Sequence, residues 1–118
     1  MQIKASKKTR APNAAEKRFT AWLHEIPCRA CGEVYGVQAH HPEGATFKRK
    51  VGLVTVLLGH WYQISLCQPC HYMRHSDKTG FKARYGSEVR LWEKQMNYWA
   101  GVGDMPPDEI VQGIMESE

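Results

Sequence analysis

The sequence predicts a small α+β domain, and three observations predict it. Two Cys-x-x-Cys pairs, Cys28-Arg29-Ala30-Cys31 and Cys67-Gln68-Pro69-Cys70, stand far apart in the chain. Short β-branched or alternating runs at 34–41, 51–58 and 61–66 have the pattern of strands. Stretches with apolar residues at helical spacing flank these runs on both sides. A chain of 118 residues has room for one modest core, which a cross-link between distant segments would supplement.

Pro12 and Asn13 open the first helix, with Asn13 as N-cap and Glu16 at capping-box spacing. Phe19, Trp22, Leu23 and Ile26 share one face, which marks it for the core rather than for stacking on bases. Pro27 ends the helix and delivers the chain to Cys28. Gly32 follows the first cysteine pair, where a tight turn often needs a positive φ. Residues 34–41 form a short strand with Gly36 at a turn, and 42–50 a loop ending in Lys48-Arg49-Lys50. The apolar run 51–58 suits a strand or a buried loop wall, and Gly59 breaks it. Residues 61–66 suit a second strand, antiparallel to the first. Cys67 to His75 then reads as a turn running into a short helix, and 81–85 as a further helical turn stopped by Gly86. Ser87 caps a helix to about Trp99, with Val89, Trp92, Met96 and Trp99 along its packing side. Residues 104–118 hold either an amphipathic helix around Ile110, Val111, Ile114 and Met115 or a mobile tail. The expected organisation is a basic arm over 1–12, a folded domain over 13–100 and an acidic segment over 101–118.

A hydrophobic fraction of 42% is ordinary for a folded domain. No apolar run reaches the ~20 residues of a membrane span, and the polar N-terminus has no apolar signal segment. A soluble, cytoplasmic protein without a membrane partner is expected. The net charge of +4 is unevenly spread. Lys4, Lys7, Lys8, Arg10, Lys17 and Arg18 crowd the N-terminus, whereas the last stretch carries acids alone. A basic arm and a basic middle suit a polyanion such as nucleic acid.

In a reducing compartment, two Cys-x-x-Cys pairs predict a metal site rather than disulfides. Four soft thiolates favour tetrahedral zinc and leave no position open for substrate, so this metal is expected to be structural. Cys67-Gln68-Pro69-Cys70-His71 also matches the haem-attachment pattern, but that chemistry belongs to exported chains and would leave the first cysteine pair without a role. Just beyond Cys70, His71 and His75 stand four apart, on one face of a helix, and can share one ion. His40 and His41 are neighbours on a strand and point to opposite faces. One of them can join His71 and His75, leaving the other for a different task at the same mouth. His24 reads as an ordinary surface or core histidine.

The order His40-His41-Pro42, loop, strand, Cys67-x-x-Cys70-His71-x-x-x-His75 resembles the HNH, or ββα-metal, endonuclease family, over about residues 28–75. The cysteine pairs match its zinc-stapled branch. The His-His-Pro stretch, the run from Leu66 to His71 and Tyr85-Gly86 are similar to phage recombination-enhancement nucleases that act with a recombinase. The resemblance implies a small ββα-metal, treble-clef-like core stapled by a four-Cys zinc, with flanking helices. It implies His41 as the general base and His40, His71 and His75 as ligands of a catalytic divalent cation, Mg²⁺ or Mn²⁺ first, Zn²⁺ or Ni²⁺ second. The family's middle Asn falls at Tyr62 here, with His60 and Gln63 as nearby substitutes. The implied partners are DNA and a recombinase filament or another phage or host DNA-processing protein, in a bacterial cytoplasm.

Lys48, Arg49 and Lys50, extended by Arg74 and Lys78, are the expected phosphate contacts. No base-reading element is visible, so sequence preference is expected to be weak. The rival expectations are a non-catalytic zinc module that binds nucleic acid and a protein-interaction module that uses the acidic C-terminal segment.

Overall fold

In a computed structural model describing residues 9–118, the chain runs α1 (Ala14–Leu23), β1 (Val37–His40), β2 (Lys48–Val51), β3 (Val54–Leu57), β4 (Ile64–Cys67), α2 (Gln68–Ser76), α3 (Lys78–Tyr85), α4 (Glu88–Trp99) and α5 (Asp108–Met115). Most of the basic N-terminal arm lies outside the described residues. The strands make two separate antiparallel pairs, β1 with β4 and β2 with β3. This is an α+β fold with a four-cysteine cluster. None of its described helices is long and apolar enough to cross a membrane.

β4 is the strand on which the fold turns, since all four of its residues are buried. Its partner β1 sets Val37 opposite Cys67 and His40 opposite Ile64. Among the described residues β4 has no second strand neighbour, so its outward backbone groups need other partners. Ser65 N–H donates to Gln95 Oε1 of α4 at 3.0 Å. Arg29 N–H donates to Ser65 O at 2.8 Å. The Ser65 hydroxyl donates to Leu23 O at the end of α1 at 2.8 Å. These bonds lock α1, α4 and the first cysteine turn around one strand. The apolar core fills the angle between them, with the Phe19 ring 5.1 Å from Trp61 and 5.2 Å from Trp99. Because β4 passes straight into α2, everything carried by Cys67 to His75 is fixed relative to β1.

Two segments differ from the sequence reading, and a third decides between its two alternatives. The run 51–58 is not one strand. Gly52, at φ +65°, turns it back on itself, and β2–β3 is a hairpin. Lys48-Arg49-Lys50, expected in a loop, make up most of β2. Strand alternation exposes both lysines while Arg49 and Val51 are half-buried, so a basic run satisfied the period-2 pattern that hydrophobicity alone did not reveal. The acidic C-terminal segment is α5, seated on the hairpin, with Ile110 and Ile114 in the same core as the other helices. Gly113 permits that approach: a Cβ there would stand 3.0 Å from both Val51 Cγ2 and Leu58 Cδ2.

The start of α1 carries a complete capping box. Glu16 N–H donates to Asn13 Oδ1, and Asn13 N–H donates to Glu16 Oε1. Arg10 adds two bonds to the same carboxylate, at 2.7 and 2.8 Å. Burial works to raise the Glu16 carboxyl, but the bonds from Arg10 and Asn13 outweigh it and hold it below its ordinary 4.5. A depressed folded value gives stability that is complete above pH 4.5 and disappears as pH falls through that lower value. Glu16→Ala is expected to cost about 1–2 kcal/mol near neutrality. In urea titrations the loss should shrink below pH 4; an equal loss at pH 7 and pH 3 would contradict this.

Candidate metal centres

The first cysteine pair sits on the turn anticipated after Pro27. Cys28 N–H donates to Glu33 O at 2.8 Å and Gly32 N–H to Cys28 O at 3.0 Å, with Gly32 at φ +83°. Cys67 ends β4 and is the N-cap of α2, and Cys70 lies in the first turn of that helix. All four thiols converge, one ligand atom of each within 4.8 Å of the others. Cys31 Sγ and Cys67 Sγ are 3.5 Å apart, far beyond the ~2.05 Å of a disulfide, and all four are free thiols.

The chemistry of this set fits a metal ion. Burial works to raise the Cys28 thiol, yet N–H groups of Cys31, Cys67 and Ala30, with the Cys67 thiol, bring it down to about 7. Burial and the crowding of sulfur on sulfur push Cys70 up, and burial first does the same to Cys67. Four thiolates at this separation repel one another unless a cation sits among them. The group can therefore hold a structural metal such as zinc, with no side left open.

The second cluster lies along α2. His71 and His75 are one helical turn apart, with ring centroids 4.7 Å from each other. The His40 ring meets them from β1 at 4.8 and 5.5 Å. Ligand atoms of the three lie within 4.8 Å of one another. His40 is 2% exposed, so its ring nitrogens need partners inside the fold. One of them, Nε2, lies 2.8 Å from Glu88 Oε2. Similarly, His71 Nδ1 lies 3.0 Å from Gln38 Oε1. His40 and His71 thus each have one nitrogen on an acceptor and the other left to offer a lone pair, the arrangement that orients imidazole ligands. Burial, then the neighbouring His40, His75 and Arg74, push the His71 imidazole down and favour its neutral form, the one able to ligate.

A family model described as Protein of unknown function (DUF968) matches residues 3–103. The chain belongs to that family. No curated protein and no solved structure matches it.

The other residues singled out in this DUF968 member lie outside both clusters. His41 lies immediately after β1, half-buried and outside the trio. Burial, then His40 and His60, push its imidazole down. Tyr62 is a core residue, its ring 6.4 Å from that of Trp92. His60 Nε2 is 2.8 Å from Arg10 O, and Gln63 Nε2 donates to His60 O and Thr20 Oγ1. Among the described residues, no side-chain hydrogen bond from these three reaches His41. Lys48 and Lys50 are exposed, whereas Arg49 is half-buried and donates to Ser117 Oγ at 3.0 Å. Lys78 is exposed at the start of α3 and borders a cleft of about 150 Å³ shared with Glu88 and Lys82.

Arg74 departs from expectation. It is buried, with Nε on Glu88 Oε2 at 2.9 Å and a terminal nitrogen on Pro42 O at 2.9 Å, so its guanidinium holds the site together instead of facing solvent. The sequence reading also missed Glu88, which anchors both His40 and Arg74 from the first turn of α4. Burial works to raise its carboxyl, but His40 and Arg74 outweigh this and keep it ionised. A buried histidine requires an acceptor somewhere, yet nothing in the sequence selects Glu88 from the other carboxylates. Glu88→Gln keeps the shape and removes the charge. It is expected to weaken divalent-ion binding about 10- to 100-fold. Isothermal titration with Mn²⁺ measures this, and an unchanged affinity would deny Glu88 that role.

Proposed function

We propose that the chain is a metal-dependent endonuclease of the HNH type, hydrolysing phosphodiester bonds in DNA. The observation that carries this reading is the trio His40, His71 and His75, held on β1 and α2 beside the closed four-cysteine group. Cys28, Cys31, Cys67 and Cys70 would hold a structural zinc, which would fix the end of β4 against the first cysteine turn and with it the start of α2, His71 and His75. His40, His71 and His75 would hold the catalytic divalent cation, Mg²⁺ or Mn²⁺ before Zn²⁺ or Ni²⁺. Such an ion supplies Lewis-acid stabilisation of charge on the scissile phosphate. His41, kept neutral at the same mouth, takes the proton from the attacking water. Lys48 and Lys50, with Lys78, hold the phosphate backbone. A bacterial cytoplasm and a phage or prophage recombination setting, with a recombinase filament as partner, complete the reading.

The test is conversion of supercoiled plasmid to nicked circles by purified protein with Mg²⁺ or Mn²⁺, abolished by EDTA. A second reading, a zinc module that binds nucleic acid without cutting it, draws on Tyr62, whose core position leaves His41 without the orienting partner that an Asn would provide. DNA retention without cleavage under any divalent ion would favour it over the nuclease.

A further inference from the structure

The hairpin β2–β3 carries a feature that neither the core nor the metal centres use. Leu53, at its tip, is 97% exposed, and the adjacent Val54 is 62% exposed. Turn chemistry does not require a leucine there, since Gly52 already provides the positive φ and polar residues serve such turns better. Folding gains nothing from a side chain left in water. The same hairpin presents Lys48 and Lys50 side by side on one outward face, about 7 Å apart along the strand. Its opposite face rests on α5, closely enough that Gly113 has no room for a Cβ without moving Val51 and Leu58. The tip is thus a braced apolar point on a basic ribbon, placed in sequence between His41 and the strand that leads to the α2 histidines.

We infer that the β2–β3 hairpin engages duplex DNA, with Lys48 and Lys50 on the phosphates and Leu53 inserted as a wedge between base steps. This rests on the nucleic-acid part of the function proposed above and names its substrate class. A two-stranded ribbon fits a duplex groove, and apolar wedges act on stacked bases, which a flexible single strand does not hold in place. The charge of the lysines favours DNA over a protein partner for the exposed tip. Because unstacking opposes insertion, steps that open readily, such as pyrimidine–purine steps and mismatches, are the preferred positions.

The experiment uses the full chain without added Mg²⁺ or Mn²⁺ and a short duplex carrying 2-aminopurine at successive positions. Binding should raise the fluorescence at one step, more so at a mismatch. Leu53→Ser, at a position outside the core, should abolish the rise while weakening duplex binding less than about tenfold, because phosphate contacts carry most of the affinity. Lys48→Ala with Lys50→Ala should lower affinity and reduce the salt slope by about 2. The matching single strand should bind at least about tenfold more weakly, having no duplex groove to fill. A rise that survives Leu53→Ser, equal binding of the single strand, or affinity indifferent to the lysines would each overturn the inference. An intact Leu53-dependent rise with no plasmid cleavage under any divalent ion would remove the nuclease reading and uphold this one. Cleavage with no such rise does the reverse.

Discussion

Cys67→Ser is expected to abolish both the bound structural metal and cooperative unfolding. Cys67 is 1% exposed at the junction of β4 and α2, so its thiol serves the cluster and the packing together. The two contributions differ in size. Exchanging one buried sulfur for a hydroxyl with poor partners costs about 1–3 kcal/mol. Structural zinc contributes apparent free energies of about 10–16 kcal/mol in small domains, comparable with the ~5–15 kcal/mol that holds a whole domain folded. Loss of the metal should therefore dominate. Elemental analysis should find the structural ion missing from the variant, and near-ultraviolet circular dichroism should show no sharp melting. The packing explanation has its own control: a strong chelator added to wild-type protein leaves every thiol in place. Chelation should reproduce the collapse. A wild-type protein whose melting temperature ignores complete metal removal would refute a structural metal at these cysteines.

The parts of the fold legible in the sequence are those set by local chemistry. Asn13 with Glu16 marked the start of α1, Ser87 that of α4, and Gly86 the stop after α3, and the structure places all three there. Each signal involves groups within a few residues, so no tertiary context was needed. The hairpin was less legible because its turn is Gly52-Leu53, with no polar turn residue to announce a reversal within the run 51–58. Helix α5 lay undecided between order and mobility. Its anchor is Ile110 and Ile114 packing into a distant core, which an eight-residue amphipathic pattern cannot guarantee.

The two candidate clusters were legible because their side chains come in short spacings. Cys-x-x-Cys and His71-x-x-x-His75 each fix geometry within one turn of chain, and the strand pairing of β1 with β4 then brings His40 to the helix. What surrounds the ligands was not legible. Glu88 lies 48 residues from His40 in sequence, and the Arg74 guanidinium looks like any surface base until its burial is seen. Tyr62 shows the same limit from the other side. The resemblance to HNH nucleases sets an orienting Asn at this position, while its ring is held in the core by Phe47 and Trp92.

His41→Ala is expected to reduce DNA cleavage by about 10²- to 10⁴-fold, the usual contribution of a general base, and to leave ion binding at the trio nearly unchanged. His40 is committed to the buried side of β1, with one nitrogen near Glu88, and it cannot also accept a proton from water at the mouth. His41 is the next residue, only half-buried, and burial, with His40 and His60 nearby, pushes its imidazole down and favours the neutral form, which accepts a proton. It is not one of the three converging ligands, so its removal should spare Mn²⁺ affinity, whereas His71→Ala should lower both affinity and cleavage. This split separates a base from a ligand. Wild-type cleavage rates in His41→Ala would move the base elsewhere. A loss of Mn²⁺ affinity as large as that of His71→Ala would instead make His41 part of the metal site.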